Sequence, residues 1–277
     1  MFRKAKHIRE KYLEENMWPS IFCQACGIGT VLNCALRAID KVKLDIDQTV
    51  FVSGIGCSSR LPGYIDADGL HTTHGRAITF ATGIKLAKPE LNVIVFTGDG
   101  DLAGIGGNHF IHAARRNIDM TVICVNNYNY GMTGAQLSPT TPLGGIATTS
   151  PYGNIESPFD LSALAIGAGA PYVAKWTTIY PHETMTAIKD GIEKKGFAFI
   201  EILAPCPEGY GRRNKLNQGK DNLLWFKKNS IGKSRYEKLS EEEKRACDKI
   251  VIGKLNDIDK PEFTAEWSKL VDKHFVE

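Results

Sequence analysis

The sequence predicts an α/β fold, a mostly parallel sheet with helices on both faces, followed by a C-terminal helical extension. Three observations carry that expectation. Between Thr49 and Leu203, short β-branched runs alternate with helical patterns, as parallel strands joined by helices do. Glycine and asparagine motifs stand directly after two of these runs, where open α/β sheets gather their ligands. Beyond about Gly211 the charge density rises and the strand–helix alternation stops.

Taken in order, 29–42 reads as a helix before the first strand, and strands are expected at 49–53, 92–97, 120–126, 172–176 and 197–203. Helices are expected at 75–87, 107–116, 160–167 and 182–194, with Ser157-Pro158 as an N-cap and first helical position. The stretch 137–158 is rich in Pro, Gly, Thr and Ser without periodicity and reads as a long loop able to close over a site. Ser240-Glu-Glu-Glu243 reads as a capping box opening a helix to about Lys254. The chain thus divides into a domain over 1–210 and an extension over 211–277 that packs on the domain or on a partner subunit.

Composition excludes several classes of function. The 277 residues are 43% apolar, enough for one large core, and the 34 basic and 31 acidic side chains nearly cancel, leaving no broad cationic face for nucleic acid. The start, MFRKAKHIREKYLEENMW, is charged throughout and lacks the apolar stretch of a secretory signal. No segment reaches the roughly 18 apolar residues of a membrane span, so a cytoplasmic location is expected. Seven cysteines in such a reducing setting are more often ligands or core residues than disulfides.

The most specific signal is Gly98-Asp99-Gly100-Asp101 after the run 92–97, with Asn126-Asn127 closing the next strand. Both motifs fall at the carboxyl ends of neighbouring parallel strands. Glycines let the backbone approach a phosphate, and a hard Mg²⁺ ion takes its oxygens from a carboxylate, an amide or carbonyl, and a diphosphate. A dinucleotide site is disfavoured, because the first βα turn lacks the G-x-G-x-x-G pattern. The spacing resembles the thiamine-diphosphate fingerprint. That resemblance implies Asp99 and the Asn127 side chain as metal ligands, completed by the Asn129 carbonyl. It also implies Gly100, Asp101, Gly131, Met132 and Thr133 as further cofactor-binding positions.

Four cysteines add a second donor set: Cys23-Gln-Ala-Cys26, then Cys57, then Cys206 far downstream. A zinc ribbon would normally show a second C-x-x-C, whereas thiolates from scattered loops are compatible with a 4Fe-4S cluster; ligand softness alone does not separate the two. Cys57 and Cys206 each follow a predicted strand on the edge that carries Asp99 and Asn127, so cluster and cofactor are expected on one face. Cys34, Cys124 and Cys247 fall inside a predicted helix, strand and helix, and read as small buried hydrophobes.

Together, Cys23-x-x-Cys26-Gly-Ile-Gly, Gly56-Cys57-Ser-Ser-Arg60-Leu-Pro-Gly-Tyr64, His71-Thr-Thr-His74-Gly-Arg76-Ala, Gly98-Asp-Gly-Asp101, Gly106-Gly-Asn-His109 and Asn126-Asn127 resemble the β subunit of 2-oxoacid:ferredoxin oxidoreductases, particularly the 2-oxoglutarate type, over about residues 18–210. The resemblance implies a thiamine-diphosphate-binding fold and an enzyme that decarboxylates a 2-oxo acid oxidatively. Coenzyme A takes the acyl group, and electrons pass through one 4Fe-4S cluster, held by Cys23, Cys26, Cys57 and Cys206, to ferredoxin. It implies a partner α subunit that supplies the glutamate contacting the cofactor pyrimidine, with further small subunits in some assemblies. Arg60 resembles the position where a cation meets the substrate carboxylate, Met132 one that lines the substrate pocket, and His74 and Arg76 positions open to cofactor or keto acid. His109 and His112, three apart on a predicted helix, fit a structural role equally well. The sequence departs from many relatives at Gln24-Ala25, where they carry Pro-Gly. Pyruvate or branched-chain and aryl 2-oxo acids remain alternative substrates; a non-redox thiamine-dependent decarboxylase or synthase and a zinc-stabilised binding module are the more distant readings.

Overall fold

The computed structural model describes residues 7–216 and 218–275; residues 1–6, which open the charged N-terminal stretch, lie outside them, as do 217 and 276–277. In chain order the elements are α1 (Ile8–Tyr12), α2 (Ile28–Val42), β1 (Thr49–Ser53), β2 (Asp68–His71), α3 (Ala77–Ala87), β3 (Asn92–Gly98), α4 (Gly107–Arg116) and β4 (Met120–Asn126). A small hairpin of β5 (Asn129–Tyr130) and β6 (Gln136–Leu137) follows, then α5 (Leu161–Gly167), β7 (Tyr172–Thr177), α6 (Pro181–Glu193) and β8 (Phe197–Leu203). The last part holds α7 (Gly219–Lys228), β9 (Ser230–Gly232), α8 (Lys233–Tyr236), α9 (Glu241–Ala246), β10 (Ile250–Asp257) and α10 (Phe263–Phe275).

Eight strands form one sheet in the order β2-β1-β3-β4-β8-β7-β10-β9, parallel at every pairing except β7 with β10. The central strands β4 and β8 are buried at every residue, and their side chains alternate between two cores. Ile123, Val125, Ile200 and Ile202 face the layer of α1, α2 and α6, whereas Val122, Cys124, Phe197 and Phe199 face that of α3, α4 and α5. Each buried Leu, Ile or Phe contributes about 1.5–3 kcal/mol relative to exposure, so the two cores fix the strand register that places the loops at the rim. Helix α4 ends where Asn117 turns left-handed, with φ 54° and its N–H returned to Ala113 and Ala114.

Four sequence expectations need correction. The N-cap of α5 is Asp160, whose carboxylate accepts from the Ser162 and Ala163 N–H groups, not Ser157; Pro158 therefore precedes the helix instead of opening it. The capping box at Ser240 and Glu243 is present, but the helix it opens stops at Ala246, and the β-branched Ile250-Val-Ile stretch adopts a strand. Cys247 accordingly sits half-buried just past α9 and not within a helix. The segment after Gly211 carries helices, including α10, and also two strands that continue the domain's own sheet. None of the described helices is long and apolar enough to cross a membrane.

Candidate active site: two adjoining cavities at the carboxyl rim of the sheet

The loops after β1, β3, β4 and β8 leave the same rim, because those four strands are parallel. They bring Cys57, Asp99, Asn127 and Cys206 to one side of the molecule. One cavity there, of about 290 Å³, is lined by Asp99, Gly100, Asp101, Asn127, Asn129, Gly131, Met132 and Thr133, together with His74.

Asp99 is 2% exposed. Its Oδ2 accepts from the hydroxyls of Ser138 and Thr140, each at 2.6 Å, which leaves Oδ1 turned toward Asn127. Burial pushes the carboxyl pKa up, and the two hydroxyls oppose that shift. The Asn127 amide oxygen lies 2.7 Å from the Asn129 carbonyl oxygen and 3.2 Å from Asp99 Oδ1. Turned end for end, the Asn127 amide would donate to both of those oxygens; with its oxygen facing them, it adds a third donor oxygen of the kind a hard cation takes. Neighbouring ligands of an octahedral Mg²⁺ at 2.0–2.1 Å stand roughly 3 Å apart. The donor set therefore fits such an ion.

Asp101 plays a different part from its neighbour. Its Oδ1 contacts His74 Nδ1 at 2.7 Å and accepts from the N–H groups of Gly75 at 2.7 Å and Ile55 at 3.1 Å, and its Oδ2 accepts from the Thr97 hydroxyl at 2.7 Å. It ties three loops together. Gly54 leaves room for that carboxylate, since a β-carbon there would overlap it, and Gly100 likewise leaves room for the Tyr130 ring. The Tyr130 ring stands edge-on to His74 at 6.0 Å.

A second cavity of about 340 Å³ is lined by Cys23, Cys26, Cys57 and Cys206. The Cys23–Cys26 turn is closed by Cys26 N–H donating to the Cys23 carbonyl at 3.1 Å, and Gly27 N–H ties it to Pro205 O at 3.0 Å, beside Cys206. Ala25 sits in the left-handed region at φ 60°, where glycine is the inexpensive residue. Burial, followed by the neighbouring cysteines, pushes the Cys26 thiol up to about 12 and the Cys57 thiol to about 11; binding iron there would displace protons. Among the described residues no group of three or more His, Cys, Asp or Glu could hold a single metal ion. The four thiols ring a cavity instead, a donor set that fits a multi-iron cluster. The two cavities share Cys57, Asn127, Gly131 and Met132 as a common wall. A β-carbon on Gly131 would lie 3.6 Å from Cys206 Sγ and 3.7 Å from Cys57 Sγ.

Arg60 stands apart. It is exposed and lines a third cavity, of about 370 Å³, with Ser53, Ser59 and His71, while its backbone N–H is held by Cys57 O at 3.2 Å. Arg76 is half-buried and donates to Ile105 O at 2.9 Å. His109 and His112 lie on α4 and line neither rim cavity. Sequence reasoning missed Ser138, Thr140 and Tyr130. Ser138 and Thr140 open the long loop 137–158, and the β5–β6 hairpin folds them back beneath Asp99, a return no local pattern announces.

A glycine turn and a set of facing oxygens at the carboxyl ends of parallel strands have the make-up of a thiamine-diphosphate enzyme's site. The family model for the thiamine pyrophosphate enzyme, C-terminal TPP binding domain, matches residues 54–202. The chain is 56% identical to the 2-oxoglutarate synthase subunit KorB of Methanocaldococcus jannaschii, over 96% of this chain and 98% of that one. It is 52% identical to the same subunit of Methanothermobacter marburgensis, over 91% and 88%. A solved 2-oxoglutarate:ferredoxin oxidoreductase from Magnetococcus marinus, with 2-oxoglutarate, coenzyme A and succinyl-CoA bound, superposes with a TM-score of 0.86 at 31% identity, covering 99% of this chain and 94% of that one. The chain belongs to the β subunits of the 2-oxoacid:ferredoxin oxidoreductases, of the 2-oxoglutarate synthase type.

Proposed function

We propose that the chain is the catalytic β subunit of an enzyme that converts 2-oxoglutarate and coenzyme A to succinyl-CoA and CO₂, or runs the reverse, with electrons passing to ferredoxin. The observation that carries this reading is the wall shared by the two rim cavities: a redox cluster in one would stand directly beside a thiamine cofactor in the other. The choice of 2-oxoglutarate is supported by the names of the relatives and by the ligands of the solved one.

In this reading Asp99 Oδ1, the Asn127 amide oxygen and the Asn129 carbonyl hold Mg²⁺ and through it the diphosphate, and Gly100 keeps the backbone open to the phosphates. Cys23, Cys26, Cys57 and Cys206 hold a 4Fe-4S cluster. Thiamine diphosphate, when bound, supplies the carbanion chemistry of decarboxylation and the cluster accepts electrons singly. Asp101 fixes the proton of His74 on Nδ1 and leaves Nε2 to meet the keto acid as a proton donor or acceptor. Met132, nearly half-exposed at 47%, forms the apolar face between the cavities. Arg60, on the turn from Cys57, lines the third cavity and would meet, as a two-pronged donor, the carboxylate of a substrate long enough to reach it.

A glutamate for the pyrimidine end comes from an α subunit, so the site is completed in a hetero-oligomer, and a reducing cytoplasm suits its thiolates. The enzyme purified anaerobically with its partner subunits tests the reading. It should be brown, contain iron and reduce viologen with 2-oxoglutarate and coenzyme A faster than with pyruvate. A colourless, iron-free preparation that still turns over would end it.

A further inference from the structure

Glu201 and Lys175 form a buried ion pair that lines neither rim cavity. Glu201 is 2% exposed and Lys175 7%, and their charged ends lie 3.2 Å apart. Two charges removed from water destabilise a fold unless each remaining donor and acceptor is met. Here each is met. Glu201 Oε2 also accepts from the Ser162 hydroxyl at 2.6 Å, Glu201 Oε1 accepts from Asn126 Nδ2 at 2.8 Å, and Lys175 donates to Asp160 Oδ1 at 2.7 Å. Burial pulls Lys175 toward neutrality, and Glu201 and Asp160 together outweigh it, so the ammonium is held above its ordinary pKa.

The consequence falls on Asn126. An amide can turn end for end, and only its partners decide which end faces where. Glu201 accepts hydrogen bonds and so takes the nitrogen, which turns the Asn126 oxygen toward the rim. There it accepts from the Tyr128 N–H at 3.2 Å and, at 3.0 Å, shares the Thr140 hydroxyl proton with Asp99 Oδ2. Tyr128 has φ 63°, in the left-handed region that non-glycine residues avoid. It is the middle of the Asn127-Tyr128-Asn129 turn, which carries two of the three metal-facing oxygens. Thr140 is one of the two hydroxyls on Asp99, which carries the third. One amide thus touches both halves of the oxygen set.

We infer that the Glu201–Lys175 pair is a positioning device for the metal site: by fixing which way the Asn126 amide faces, it sets the Asn127–Asn129 turn and the Thr140–Asp99 contact together. This rests on reading Asp99, Asn127 and Asn129 as ligands of Mg²⁺. Neither charged residue touches the ion; both act through Asn126.

The test measures Mn²⁺ binding in place of Mg²⁺, by the loss of the free-ion EPR signal in the presence of thiamine diphosphate, on the enzyme assembled with its partner subunits. The double variant Glu201→Met/Lys175→Met removes both charges at similar volume and leaves Asn126 without its acceptor. It should weaken Mn²⁺ binding roughly tenfold or more, in the range of lost outer-sphere partners of a metal site, with the melting temperature and the iron absorption unchanged. Glu201→Gln with Lys175→Met, in which no ammonium competes for the glutamine oxygen, keeps an acceptor for the Asn126 nitrogen and should hold binding to within about twofold of the parent. If the double variant does not fold, Glu201→Gln alone, whose oxygen the Lys175 ammonium takes so that its NH2 faces Asn126 and turns that amide, should show the loss. Mn²⁺ binding unchanged in the double variant, or in Glu201→Gln should the double variant not fold, overturns the inference and leaves the pair a structural one. Asp99→Asn separates the two levels. Unchanged binding there sinks the ligand reading itself, and the inference with it, whereas lost binding there beside unchanged binding in the double variant sinks the inference alone.

Discussion

The carboxyl rim of the sheet and the segment after Gly211 use charge in opposite ways. At and beneath the rim three acidic groups are buried and committed: Asp99, Asp101 and Glu201 are 2–3% exposed and every one accepts from at least two donors. In the last segment charges are many, and their pairs, such as Lys244 with Glu241 and Lys269 with Glu266, lie at the surface within a turn of one another. Exposed pairs of that kind contribute about 0–1 kcal/mol each. A buried carboxylate stripped of its partners costs several times as much. The same residue types therefore specify function in one region and little beyond solubility in the other, and substitutions should separate the regions by magnitude.

The largest effect is expected at Asp99. Asp99→Ala removes one of the three oxygens proposed to hold the metal and leaves the Ser138 and Thr140 hydroxyls without their shared acceptor. Mg²⁺-dependent binding of thiamine diphosphate, followed by calorimetry, should be lost, while iron content and visible absorption persist because the cysteine cavity keeps its four thiols. Loss of both signals together would mean the rim had unfolded, and the contrast between the regions would then have no local meaning. A step smaller is Ser138→Ala, which removes one of two hydroxyls from Asp99 Oδ2. Metal affinity should fall by about 10–100-fold without a change in iron content, and an unchanged affinity would show that Thr140 alone suffices.

How much of this was legible in the sequence follows from the same contrast. The strand expectations at 49–53, 120–126 and 197–203 match β1, β4 and β8 end for end, because continuous apolar runs covered on both faces have one way to be buried. That Gly98-Asp-Gly-Asp101 and Asn127 meet at one cavity was legible because each motif directly follows a predicted parallel strand, whose carboxyl ends share a rim. Not legible was anything set by a long-range return: the Ser138–Thr140 clamp reaches Asp99 only through the β5–β6 hairpin, and Glu201 meets Asn126 across two strands 75 residues apart. Edge strand β2, with the sequence Asp-Gly-Leu-His and mostly exposed, carries no strand pattern. In the last segment local signals were true but insufficient. Ser240 and Glu243 do form a capping box, yet a cap starts a helix without saying where it stops, and the Ile250–Asp257 run pairs with β7 once it has an edge to join.

Between the two magnitudes lies Ala25, in the turn between the first two cysteines of the rim. A non-glycine residue held at φ 60° is disfavoured by about 1–2 kcal/mol, and glycine returns part of that gain through its freer unfolded chain, about 0.4–1 kcal/mol. Ala25→Gly should therefore raise the melting temperature by about 1–3 °C and leave the iron absorption intact. A fall in melting temperature would show that the Ala25 methyl, which faces Gly219, contributes packing that outweighs the backbone relief.

The smallest effect is expected at the capping box. Ser240 Oγ accepts from Glu243 N–H at 3.2 Å and Glu243 returns a carboxylate to the Ser240 N–H at 2.8 Å. Those bonds hold the Glu243 carboxyl below its ordinary pKa. Ser240→Ala removes one of the two bonds, worth about 1 kcal/mol at most caps. The helix it starts is six residues long with none of them buried, so its loss exposes no core and should open only α9. Amide exchange should speed up at Glu243 and its neighbours while the melting temperature and metal binding stay at their parent values. If Ser240→Ala instead lowered the melting temperature as much as a rim substitution, α9 would be holding β10 against β7, and the last segment would belong to the same cooperative unit as the site.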